Sequence, residues 1–187
     1  MKTVIVLIWR ISSWKDHAWD FLAEKLWCKH LGISSSLRII ARERWISETR
    51  ENLIQIGKEV TQKYGDGYLA EVLITKEVSD FMIVSGPRQL WQLEYLRKHS
   101  NSIFIGIEAN EEIRYQRMLA RWKMKENISF EKFLETEKLD EWDIQNVGRC
   151  LNVCDIIIEN NDTLETFEEE ILKISKNFLW KNHLKSS

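Results

Sequence analysis

Apolar residues gather in short runs separated by longer amphipathic stretches. Lys2 to Ile8 (KTVIVLI) is a β-branched run, as expected of a strand buried on both faces of a parallel sheet. Beyond a short loop, Ala18, Phe21, Leu22 and Leu26 fall at helical spacing, which predicts a helix from Asp16 to Leu26. Leu31 to Ser34 reads as a short strand. Ser34 to Ser36 are candidate caps for a helix at Leu37–Arg44. Ser47–Asn52 introduces a longer helix, Leu53–Lys63, punctuated by Tyr64-Gly65-Asp66-Gly67 and continued over Leu69–Thr75. Phe81–Val84, Ile103–Ile107 and Asp155–Ile158 are further strand candidates. Helices are predicted at Leu90–His99, Asn110–Arg121 and Thr163–Leu179, and the charged stretch Lys123–Glu141 carries helical patches. Strands alternating with helices predict a three-layer α/β fold with about five parallel strands.

The 187 residues suit one domain. A net charge of −2 argues against a general binder of nucleic acid or anionic membrane, which would recruit phosphates with a basic surplus. No apolar run is long enough for a membrane span. The opening run is short for a signal peptide. Three cysteines build neither a disulfide framework nor a paired metal site, which suits a cytoplasmic protein. One anomaly stands out: seven glycines and one proline are few, and nine tryptophans are many.

In a doubly wound sheet the ligand lies beyond the carboxyl ends of the strands. After Ile8 the chain reads Trp9-Arg10-Ile11-Ser12-Ser13-Trp14-Lys15-Asp16-His17 and enters a helix. A strand, a small-residue loop, a lysine and a helix start make the frame of a P-loop, whose main-chain N–H groups and lysine cradle a nucleotide's phosphates. The motif has glycine at the places of Trp9 and Trp14, because the loop needs backbone angles closed to other residues and leaves no room for a Cβ. Read literally, this loop does not bind ATP.

From residue 2 to about 175 the order of motifs resembles the dephospho-CoA kinase and nucleoside (or deoxynucleoside) monophosphate kinase group. Ser36-Leu37-Arg38 is similar to the acceptor-phosphate arginine after strand two, and Thr49–Leu53 with Lys63–Ala70 to a segment of bacterial members. Val84-Ser85-Gly86-Pro87-Arg88 resembles the signature ending strand three, Glu112–Arg121 the arginine helix leading to a lid, and Cys154–Leu164 the closing Ala-Asp-x-x-Ile-x-Asn motif. The resemblance implies an ATP- and Mg²⁺-dependent kinase of a small phosphorylated acceptor, monomeric or weakly dimeric. It implies an acceptor-binding segment near 35–78 and a lid near 115–145.

It also implies roles. Residues 9 to 17 and Arg117 would hold ATP, with Lys15 on the β/γ-phosphates. Asp16 would ligate Mg²⁺ in place of the usual Ser or Thr, or else simply favour the helix start. Arg38 and Arg88 suit the acceptor phosphate, the alternative for each being a surface ion pair. Arg117 and Arg121 would close over the transferring group, or belong to a charged helix face. The catalytic set is then Lys15, Arg88 and Arg121. Ser85 replaces an expected acidic residue and Ser34–Ser36 lack an expected base; neither Asp16 nor Asp80 is assigned that role. The four histidines lack metal-ligand spacing and are expected at the surface or in caps. A degenerate P-loop domain serving as a binding or scaffold module is the rival reading, carried by Trp9, Trp14 and Ser85.

Against the same pattern the tryptophans are ordered. Trp9 and Trp14 take the loop glycines. Trp27 and Trp45 take glycines at helix ends, where a left-handed residue is favoured. Trp91, Trp122 and Trp142 fall where relatives often carry glycine. Genetic codes differ over UGA, some reading tryptophan and others glycine, and a chain translated with the wrong table would look like this one.

Overall fold

The computed structural model describes residues 1–10, 12–65, 67–121, 128–143 and 147–186. The hydrophobic runs build a five-stranded parallel sheet in the order β2-β3-β1-β4-β5. Its strands are β1 (Thr3–Trp9), β2 (Lys29–Gly32), β3 (Phe81–Ser85), β4 (Asn101–Glu108) and β5 (Ile156–Glu159). The most apolar run takes the centre, flanked by β3 and β4, where both of its faces are covered. Alternation along the strand splits it between two cores. Val4, Val6 and Ile8 pack with Phe104, Leu73, Leu93 and Leu96 on one face, and Ile5 and Leu7 with Leu22, Ile105, Phe167 and Ile171 on the other.

The helices are α1 (Lys15–Leu26), α2 (Ser34–Glu43), α3 (Arg50–Tyr64), α4 (Tyr68–Lys76), α5 (Leu90–His99), α6 (Glu111–Arg121), α7 (Phe130–Asp143), α8 (Val147–Asn152) and α9 (Leu164–Ser186). The segment near 35–78 is thus α2–α4, which carry a small core of their own around Ile40, Ala41, Ile56, Val60 and Val72. Within the span 115–145, the end of α6 and α7 are described. The buried Arg114 guanidinium ties these two helices together by its ion pair with Glu137.

Three expectations shift. The second strand ends at Gly32, not Ser34, because Ile33 turns into the helical region (φ −53°, ψ −34°) after donating its N–H to Ser85 O at 3.0 Å. Helix α2 therefore starts at Ser34, and its serines do not cap it: the Ser36 hydroxyl is buried and donates to Leu69 O of α4 at 2.6 Å. Helix α8 was not expected, its period being too short to read from six residues. It packs Val147, Cys150 and Leu151 into the core beside β1. Thr49, by contrast, caps α3 by accepting from Asn52 N at 3.3 Å, as the sequence indicated.

Candidate active site

The strand order turns outward on either side of β1, so the crevice at its carboxyl end is the topological switch point. The chain leaves β1 at Trp9 and enters α1 at Lys15, whose position in the first helical turn is that of a P-loop lysine. Ser12 and Trp14 both have left-handed backbones (φ 62° each). Trp14 is the N-cap, and no side chain caps the helix. The loop is held from below: Ser13 is buried, its hydroxyl donates to Arg10 O at 2.8 Å, and Asn160 Nδ2 donates to Ser13 O at 3.3 Å. An uncapped helix start behind a tight turn presents N–H groups and the positive end of a dipole to the crevice.

Asn160 knits the site together. Its backbone N–H bonds to Glu108 O at 2.8 Å, and its carbonyl accepts from Arg117 Nη1 at 2.9 Å. Arg117 of α6 thus lies over the loop, its guanidinium 3.8 Å from the Trp14 ring centroid, and burial lowers its pKa from the usual arginine value. Arg10, on the loop, pairs with Glu108 Oε1 at 2.9 Å. His17 lies in the first turn of α1, but its imidazole meets Glu168 of α9 and stacks near Phe21. Its contribution to the crevice is therefore a main-chain one. Ile11 lies outside the described residues, as do the side chains of Lys15, Asp16 and Arg121.

Two clefts open on opposite sides of the loop. One, of about 640 Å³, lies between Arg10, the end of β4 and α7. The other, of about 670 Å³, lies between the ends of β2 and β3 and helices α2 and α5. Arg88 lines the second, its backbone N–H bonded to Gln92 Oε1 at 2.9 Å. Arg38 is not brought there; on the exposed face of α2 it joins Arg42 in gripping Glu48, at 3.0 Å. The second cleft has no carboxylate among its described lining residues. Its polar wall includes His30, which is not the surface or capping histidine expected. Nε2 of His30 lies 2.6 Å from the Ser85 hydroxyl, and the ring stacks on Trp19 at 4.4 Å. No sequence signal marked His30, because β2 acquires its neighbour only when the sheet assembles. Asn160 was legible as part of the closing motif, though not as the loop's fastener.

Trp9 and Trp19 line the second cleft. The Trp9 indole is buried, edge-on to Trp19 at 5.4 Å, and reaches the place a Cβ of Gly86 would take, 3.4 Å from it. Among the described residues no group of three His, Cys, Asp or Glu side chains could hold a metal ion, and no helix is long and apolar enough to cross a membrane.

This fold is that of the P-loop kinases. Over 95% of the chain it matches shikimate kinase from Acinetobacter baumannii in complex with shikimate (94% of that chain, TM-score 0.54, 15% identity). Over 99% it matches a gluconokinase from Sinorhizobium meliloti (98% of that chain, TM-score 0.57, 14% identity). In sequence it is similar to the UPF0200 protein of Sulfurisphaera tokodaii, 26% identical over 142 residues (72% of this chain, 78% of that protein). A UPF0200 protein of Pyrococcus abyssi is 25% identical over 169 residues, 86% of this chain and 89% of that protein. No family model matches.

Proposed function

We propose that the protein transfers a phosphoryl group from ATP to a small phosphorylated acceptor, a nucleoside or deoxynucleoside monophosphate before dephospho-CoA. The observation that carries the reading is the turn of residues 9–14. It runs from the central strand into an uncapped helix that begins at a lysine, under an arginine, at the sheet's switch point. Phosphoryl transfer needs positioning and charge stabilisation more than covalent chemistry. Main-chain N–H groups of residues 12–17 hold the β- and γ-phosphates, Lys15 follows the charge as it moves, and Arg117 shields the loop from water. Arg121, one turn further along α6, belongs to the same closing helix. Mg²⁺ neutralises the phosphates when bound, commonly through one or two carboxylates, and Asp16 beside Lys15 is the residue placed in sequence to hold it.

The acceptor enters the cleft of Arg88, which grips its phosphate. The missing wall carboxylate favours a phosphate acceptor, which needs no base to take a proton, over a hydroxyl. The donor nucleoside takes the opposite cleft, beside Arg10 and Asn161. The test is titration with Mg-ATP, then a panel of phosphate acceptors, on the tryptophan-bearing chain and on Trp9→Gly/Trp14→Gly. Binding and transfer by the glycine variant alone are expected. If the glycine variant binds no ATP, the scaffold reading replaces this one; the indoles lying in the crevice are what favours that reading.

A further inference from the structure

We propose that positions 9, 14, 27 and 45 are glycine in the functional protein, written as UGA codons that its own translation reads as glycine. The gain of ATP binding expected of the glycine form rests on the function proposed above; the recoding stands without it.

Backbone angles carry the argument. Four non-glycine residues among those described have positive φ, and three are tryptophans: Trp14 (62°), Trp27 (51°) and Trp45 (57°). For a bulky residue this region is a genuine outlier, since the Cβ meets the following carbonyl. Two of the three, Trp27 and Trp45, stand where local hydrogen bonding itself calls for a left-handed residue. After α1, Cys28 N–H reaches back to Ala23 O at 3.1 Å, and after α2, Ile46 N–H reaches Ala41 O at 2.9 Å. Both are six-to-one closures of a Schellman motif, and the residue inside each loop, Trp27 or Trp45, is the one for which glycine is the usual choice. Trp14 closes the turn ahead of Lys15 in the same conformation.

Exposure is a second, independent observation. Tryptophan ordinarily buries 150–250 Å². Trp27 and Trp45 are 95% and 96% exposed, so neither indole repays its backbone strain with packing. Trp9 differs: its backbone is extended and its indole buried, but the space it takes is the crevice between the loop and Gly86. At Trp19, Trp91 and Trp180 the backbone makes no such demand, and there the codon alone decides.

The experiment has two arms. The gene is sequenced, and peptides of the protein purified from its own cells are weighed. UGA at codons 9, 14, 27 and 45, with peptide masses of glycine at those sites, is expected; UGG codons or indole-bearing peptides overturn the recoding. Separately, recombinant Trp9→Gly/Trp14→Gly is titrated with Mg-ATP beside Trp27→Gly/Trp45→Gly, with circular dichroism to verify that each is folded. Saturable binding gained by the first variant and not by the second is expected. Glycine peptides with no ATP binding would leave the recoding intact and remove the kinase reading alone.

Discussion

The helix-end tryptophans allow a stability prediction with a definite sign. A left-handed non-glycine residue carries about 1–2 kcal/mol of strain. Replacing Trp27 or Trp45 by glycine removes it, and the greater freedom of glycine in the unfolded chain offsets about 0.5–1 kcal/mol. Almost no burial is lost, because both indoles stand in solvent. The net is a gain of roughly 0.5–1 kcal/mol per site. The sites close two different helices, so their effects should add, and the double variant should melt roughly 2–8 °C higher for a chain of this size. Thermal melting followed by far-ultraviolet circular dichroism, with denaturant midpoints as a check, measures it. Trp27→Ala and Trp45→Ala separate the causes: alanine removes the indole but keeps the Cβ, so these should show no comparable rise. A glycine double variant that melts at or below the parent, or alanine variants that rise equally, would refute the strain argument.

Trp19→Gly should move the other way, by about 1 kcal/mol for a helix-interior glycine alone, more with the lost stack on His30; the same melts read it. Arg114→Met should destabilise by about 3–5 kcal/mol, because the Glu137 carboxylate is left buried without its partner; chemical denaturation reads the loss, and Arg114→Met/Glu137→Leu should recover much of it. Gly106→Ala should cost about 1–3 kcal/mol by overpacking, since a Cβ there would lie 2.4 Å from Ile157 Cδ1 and 2.8 Å from Leu151 Cδ2; Gly106→Ala/Ile157→Val should be milder in the same denaturation. Burial pushes the Glu77 carboxyl up, but hydrogen bonds from Lys29 and from the N–H and hydroxyl of Ser79 outweigh it and hold the pKa at about 2. Because the folded pKa lies below the unfolded one, this stabilisation is complete above about pH 4.5 and is lost as the pH falls towards 2. Glu77→Gln should therefore flatten the acid limb of a stability-against-pH curve in that window, and an unchanged limb would deny the role.

Much of the architecture was legible in the chain. β1, β3 and β4 announce themselves as apolar runs, because a parallel strand covered on both faces has no polar side to confuse the signal, and β5 does so through Ile156–Ile158. β2 (Lys29–Gly32) is no such run: its apolar signal begins only at Leu31. The frame of the loop was legible too, since a strand, small residues, a lysine and a helix follow one another in sequence. Asn160 and Arg117 lie more than a hundred residues from the loop they fasten, yet both stood inside recognisable motifs. His30 did not, and although Ser85 lay within the motif ending strand three, its pairing with His30 was hidden: the two come from strands that meet only in the sheet, and neither residue type advertises a partner at long range. The serines of α2 were read as caps because serine favours helix starts; tertiary packing instead buries Ser36 under α4.

Local rules, then, determined most of the elements, their order, and the left-handed closures at Trp27 and Trp45, for a helix end is decided within six residues. Which side chains share the crevice was decided only when the strands took the order β2-β3-β1-β4-β5 and brought distant segments to one edge. That order sets Arg117 over the loop, turns Arg38 outward to Glu48, and places His30 beside Ser85. The physical reason is one of range: backbone preference and hydrophobic period act between near neighbours, whereas the shape and charge of a cleft exist only once long loops have been closed by the burial of a common core.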